Sequence, residues 1–182
     1  MGIEIPHTGG RNGGLRKGTK QGNDAIRRRS ETWSKVSEAK RKVAYEVGRQ
    51  EVSNLFRDTV VRDFVCLYWA EGYKRSRHTV SVINTDPDIV VLCAKVMRRF
   101  ATRPLIYKLY CSEEEKDGAT DFWSKVCGVN KEDIRFQAKK QVSQRRAEHG
   151  LVSVSAHETM FRSRLQAWMD ALKKEWGCSS SG

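Results

Sequence analysis

Apolar residues along this chain fall into short blocks with two different periods. Between Arg57 and Glu71, Val60, Val61, Phe64, Val65 and Tyr68 recur at three- and four-residue spacing, which places them on one side of a helix. Cys66 and Ala70 stand one turn apart on another side, and two small residues at that spacing let a second backbone approach closely. Gly72 follows, a residue suited to the left-handed conformation that closes many helices. The period then shortens: "HTVSVIN" alternates Val80 and Val82 with Thr79, Ser81 and Ile83, the pattern of a strand. In "NTDPDIVVLCAKVMRRF" the signals are those of a helix start. Asp86 is the expected N-cap, Pro87 takes the first helical position and Asp88 the first turn, ahead of an inward stripe of Ile89, Leu92, Cys93, Val96 and Phe100.

The alternation of periods continues to the end. "PLIYKLYC" (104–111) is a strand, and "EEEKDGATDFWSKVCG" a helix with Ala119, Phe122, Trp123 and Val126 inward, closed by Gly128. "DIRFQAKKQ" sets Ile134, Phe136 and Ala138 against Arg135, Gln137 and Lys139, and "LVSVS" sets Val152 and Val154 against Ser153 and Ser155. A last helix carries Phe161, Leu165, Trp168, Leu172 and Trp176 on one face. Upstream, residues 24–56 predict a long, weakly amphipathic charged helix with Trp33, Val36, Val43 and Val47. Residues 1–23, rich in glycine and basic groups, predict a flexible arm, and 177–182 a disordered tail. The expected organisation is therefore one α+β domain over 57–176, an antiparallel sheet packed on helices, preceded by an arm and a helical extension.

Composition changes the picture by adding a partner. The 182 residues carry 34 Lys and Arg against 22 Asp and Glu, a net charge of +12 and a pI near 9.7. Residues 1–60 hold 13 basic and 7 acidic groups, so the excess is not confined to the domain or to the tail. An imbalance of this size points to a polyanion, above all nucleic acid. Five cysteines without a C-x-x-C pair indicate a reducing compartment, and Cys111, Cys127 and His149 lack zinc-ligand spacing. With no run near the ~18 apolar residues of a membrane span and no apolar signal core, the expectation is a soluble, cytoplasmic protein that does not engage a membrane. His78, His149 and His157 form no triad with a nucleophile, and no glycine-rich loop has phosphate-loop spacing.

The polar faces of the strands collect Thr79, Ser81, Lys108, Arg135, Gln137, Lys139, Ser153 and Ser155, donors without a carboxylate among them. Such a face suits the edges and phosphates of double-stranded DNA. "KKQVSQRRAEHG" adds Lys139, Lys140, Arg145 and Arg146 as phosphate contacts, and "YKRSR" adds Arg75 and Arg77.

The stretch "FVCLYWAEG", Phe64 to Gly72, followed by "INTDPDIV", resembles the name-giving motif and succeeding helix start of the LAGLIDADG homing endonucleases, and more closely their single-motif bacterial and phage relatives. The resemblance spans roughly 57–176. It implies a homodimer in which two copies of the motif helix pack through Cys66 and Ala70 and bring Glu71 and its mate to the dyad. It also implies Mg²⁺-dependent hydrolysis of DNA phosphodiesters, with Glu71 as metal ligand and catalytic group and with Lys74, then Lys108 or Lys139, stabilising the transition-state charge. Three departures stand against it. Only "YKRSR" occupies the place of a first hairpin strand, Cys66 stands where the family usually has glycine, and a helix is inserted over 113–128. Relatives that bind DNA without cutting make a non-cleaving regulator the alternative, and structured RNA is a lesser candidate partner.

Overall fold

In a computed structural model, residues 20–139 and 148–177 are described, and the chain divides into two units, Met1–Ser37 and Glu38–Gly182. The first unit contributes the opening turns of helix α1 (Lys20–Leu55), where Arg27 pairs with Asp24 and Glu31 at one-turn spacing. The second unit holds the rest of α1 and everything after it. Its elements are α2 (Thr59–Glu71), β1 (Val80–Asn84), α3 (Pro87–Phe100), β2 (Ile106–Cys111), α4 (Lys116–Cys127), a 3₁₀ turn (Lys131–Asp133), β3 (Ile134–Ala138), β4 (Leu151–Ala156) and α5 (Thr159–Glu175).

Local chemistry accounts for the helix boundaries. Asp58 caps α2 by accepting from Val60 N and Val61 N, and Asp86 caps α3 by accepting from Asp88 N and Ile89 N with Pro87 at the first turn. Gly128 closes α4 in the left-handed region at φ 61°. Gly72 does something else. Its φ of −71° and ψ of 151° are extended, so it is not the left-handed cap that its position predicted. Space is what demands glycine there: a Cβ would lie 2.4 Å from the Tyr68 ring and 2.5 Å from the Tyr68 carbonyl oxygen.

The strands form one sheet in the order β1-β4-β2-β3. β4 lies antiparallel to both β1 and β2, but β2 and β3 run parallel. The expected all-antiparallel sheet is thus corrected to a mixed one. The cause is α4: a helical crossover between β2 and β3 returns the chain to the same end of the sheet, as a tight turn could not. α3 covers β1 and β4, α4 covers β2 and β3, and α2 packs on α3 and α5.

Register decides which residues meet the helices. Val82, Val154, Tyr107 and Ile134 form one inward row across all four strands, and Val152, Leu109 and Phe136 the next. Trp123, Trp168, Tyr68 and Phe64 are the largest fully buried side chains. Two inward stripes differ from the sequence expectation. In α3 the fully buried residues are Val90, Cys93, Ala94, Val96 and Met97: Cys93 and Val96 of the expected stripe lie inside, Ile89 and Phe100 pack on the core from its edge, and Leu92 is only half-buried. In α1 the apolar residues Trp33, Val36, Val43 and Val47 are exposed, and the packed side runs through Ala44 and Gly48. A Cβ on Gly48 would lie 2.8 Å from the Arg164 Cα, so only glycine lets α1 and α5 come this close.

Candidate nucleic-acid interface

The sheet face turned away from the helices is built by the same alternation. Across the strands, Ile83, Ser153, Lys108 and Arg135 form one row; Ser81, Ser155 and Ile106 form the row on one side of it, and Leu151, Tyr110 and Gln137 the row on the other. None of the four strands carries an Asp or Glu. Lys108 and Arg135 are cross-strand neighbours, and among the described residues neither is paired with a carboxylate. Lys139 follows β3, with its backbone N–H donating to Cys111 O at 3.0 Å. Thr79 lies just before β1 and is half-buried.

The serines on this face play a different part from the one expected. Ser81 Oγ lies 2.7 Å from Ser155 Oγ and 3.1 Å from Ser153 Oγ, and these two are 3.3 Å apart. Their hydroxyls satisfy one another. Because β4 is an inner strand, Ser153 and Ser155 are only 7% and 8% exposed despite facing outward. They form a small, polar floor between the longer side chains of β2 and β3 on one side and Ile83 on the other. Ile83, Ile106, Tyr110 and Leu151 also belong to this face, and a sequence search for donors passes over them. The signal was available: each lies two residues, or one strand register, from a residue already assigned there.

A groove of about 760 Å³ opens where β2 and β3 begin, lined by Arg98, Arg103, Ile106, Glu132, Asp133 and Arg135 among others. Arg98 is committed to Tyr107 Oη and the Cys127 carbonyl oxygen, each at 2.8 Å. Glu132 and Asp133 bring negative charge to this corner, so the acid-free character ends at the rim of the face.

The motif residues lie at the other edge. After α2 the chain runs beside β1, where Tyr73 N–H donates to Ser81 O at 2.8 Å. This single bond is all that the described residues show of a strand outside β1. Glu71 is exposed at the last residue of α2 and has no hydrogen bond or ion pair among the described residues. Lys74 is occupied: its ammonium donates to Trp69 O at 2.7 Å and Ala70 O at 3.3 Å, closing the carbonyl end of α2. Ala70 is exposed, whereas Cys66 is half-buried against the chain's own core, and burial raises its thiol pKa. Trp69 packs on Trp176 with ring centroids 5.5 Å apart, so the end of α5 covers that flank of α2.

No family model, curated protein or solved structure matches this chain. Chemistry at the site therefore rests on its residues. Among the described residues no three His, Cys, Asp or Glu side chains converge. Cys93 and Cys127, pushed up to about 12 and about 11 by burial, serve as packing residues and not as thiolate ligands. No helix of the described residues is long and apolar enough to cross a membrane. Arg75 and Arg77 lie exposed in the segment between α2 and β1. Lys140, Arg145 and Arg146 lie outside the described residues.

Proposed function

We propose that this chain binds double-stranded DNA through the open sheet face, with Lys108, Arg135 and Lys139 on phosphates and Gln137, Tyr110 and Ile83 toward base edges. One observation carries this reading: a cross-strand pair of cations, unpaired with any carboxylate among the described residues, sits on a sheet whose strands contain no acid. A solvated sheet face usually mixes both charge signs, which keeps a protein soluble without attracting a polyanion. Here the local potential adds to the overall charge of +12. The measurement is fluorescence anisotropy with a labelled duplex. Lys108→Ala combined with Arg135→Ala is expected to weaken binding about tenfold or more at moderate salt. A double variant that binds like the parent, or a folded RNA that outcompetes duplex DNA, would overturn the proposal.

Cleavage is the second reading, favoured by the exposed, unpartnered Glu71 at the end of a helix whose Ala70 side is open. One chain supplies a single carboxylate. The Mg²⁺-dependent endonuclease implied by the motif resemblance thus requires a homodimer that brings the second Glu71 to the same point. Nicking of supercoiled plasmid in Mg²⁺ that disappears in Glu71→Gln supports it. Duplex binding without nicking, indifferent to Glu71→Gln and to chelator, identifies a DNA-binding regulator instead.

A further inference from the structure

Apart from the sheet face, five basic side chains converge on a cleft within the second unit. It has a volume of about 290 Å³ and is lined by Arg41, Lys42, Lys74, Ser76, Arg77 and Arg162 among others, with no carboxylate in its wall. That size lies at the lower end of small-ligand pockets. Three segments of the chain build it: the second half of α1, the connection from α2 to β1, and the first turns of α5.

Arg162 is the informative residue. It is only 7% exposed, yet its Nε is a buried donor without a partner. Its Nη1 donates to Gln166 Oε1 at 3.0 Å, and Nη2 reaches the Lys74 carbonyl oxygen at a long 3.5 Å. The orientation of Gln166 is fixed in turn, because its Nε2 donates to Asp170 Oδ1 at 2.9 Å. Its amide oxygen is therefore held toward Arg162, and the guanidinium stacks over the Tyr68 ring at 5.9 Å. A guanidinium held in place this way keeps its charge at the cleft wall, and an anion in the cleft is drawn to it. Some of the cleft's charge is already committed. Arg41 pairs with Glu38, whose carboxylate also lies in the field of Lys42 and Arg77, and Lys74 closes α2. One carboxylate set against Arg41, Lys42 and Arg77, with Arg162 besides, leaves the cleft with a net positive charge.

We propose that this cleft binds the phosphate of a phosphate monoester, either at the 5′ end of a nucleic-acid strand or on a small phosphorylated molecule. Several cations around one small cavity favour the dianion of a monoester over the single charge of a backbone diester. The inference is independent of the sheet face, since no residue is shared between the two sites.

Isothermal titration of the full chain with inorganic phosphate tests it, alongside a dinucleotide with and without a 5′-phosphate and a phosphorylated sugar. One phosphate per chain is expected to bind saturably, and the 5′-phosphate to tighten dinucleotide binding about tenfold or more. Arg77→Ala and Lys42→Ala, both at exposed positions, are each expected to weaken phosphate binding by a similar factor with the melting temperature unchanged. Tighter binding of the phosphorylated dinucleotide than of the sugar phosphate assigns the site to strand ends, and the reverse order to a small ester. Lys108→Ala with Arg135→Ala is expected to weaken duplex binding about tenfold or more and leave phosphate binding intact. Absence of saturable phosphate binding, its indifference to both cleft variants, or its loss in the sheet-face variant would overturn the proposal.

Discussion

Gly72 and Gly118 place the same residue type under opposite constraints. At Gly72 a Cβ would meet the Tyr68 ring and carbonyl within 2.6 Å, and the backbone cannot yield because the Tyr68 hydroxyl is itself bonded to Tyr73 O at 2.8 Å. Gly72→Ala should therefore cost about 1–3 kcal/mol, read by urea denaturation, as overpacking does elsewhere. Gly118 lies inside α4 with nothing within 4 Å of a built Cβ, so Gly118→Ala should stabilise by about 0.5–1 kcal/mol through helix propensity. Sequence alone treats both as helix-associated glycines and separates neither case. The same limit applies to Glu71 and Lys74. Their position after an apolar stripe was legible, but that Lys74 turns back onto the α2 carbonyls depends on where the chain goes next. Lys74→Ala should shorten α2 by a fraction of a turn and lower helical signal slightly, while Glu71→Gln should leave stability unchanged within a couple of degrees in Tm.

Among the elements, α2 and α3 are joined by an ion pair that also sets a pH dependence. Asp58 caps α2 and lies 2.6 Å from Arg99 near the end of α3. The Arg99 hydrogen bond, chiefly, holds the Asp58 carboxyl below the usual aspartate range, with the backbone donors of Val60 and Val61 contributing. A lowered folded-state pKa means stability that is present above the ordinary aspartate pKa and lost as pH falls through the lowered one. Asp58→Asn retains a capping oxygen but removes the charge. Its deficit relative to the parent in urea melts should be largest near neutral pH and should shrink as pH falls below the ordinary aspartate range. A constant deficit across that window would show that the ion pair contributes nothing. The start of α3 was readable in advance, whereas the Asp58 cap of α2 was not. Asp86 and Pro87 specify the beginning of α3 through local hydrogen bonding, and Gly128 specifies the end of α4, because caps involve residues a few positions apart. How far the inward stripe of α3 extends was not readable, because that depends on β1, β4 and α2 together. α4 shows the limit most clearly. Its helical period was evident, but that it carries the chain across to a parallel partner strand emerges only from the pairing of β2 with β3.

At the scale of the whole molecule, the distribution of charge makes a thermodynamic prediction. If duplex DNA lies on the open face, log K against log salt should be linear, with a slope of about −0.9 per neutralised phosphate. Lys108→Ala and Arg135→Ala should each reduce that slope by about one. A slope near zero, with binding retained, would assign recognition to other chemistry than phosphates. Much of this face was legible because strands alternate: Lys108, Arg135, Gln137 and Lys139 fall on the outward side by parity alone. The sequence could not show that Ser81, Ser153 and Ser155 consume one another's hydroxyls, since the contact joins residues more than seventy positions apart. Nor could it show the basic cleft, whose walls come from α1, the segment before β1 and α5.

The sequence by itself determined the period of each segment, the capped start of α3, the α+β class and the strong positive charge, because each follows from neighbours within a few residues or from composition. Only the tertiary structure decided the strand order, the parallel pair, the exposure of the α1 apolar stripe and the gathering of distant cations around Arg162. Those features arise where segments far apart in the chain compete for the same surface, and their outcome depends on which contacts fit in space together.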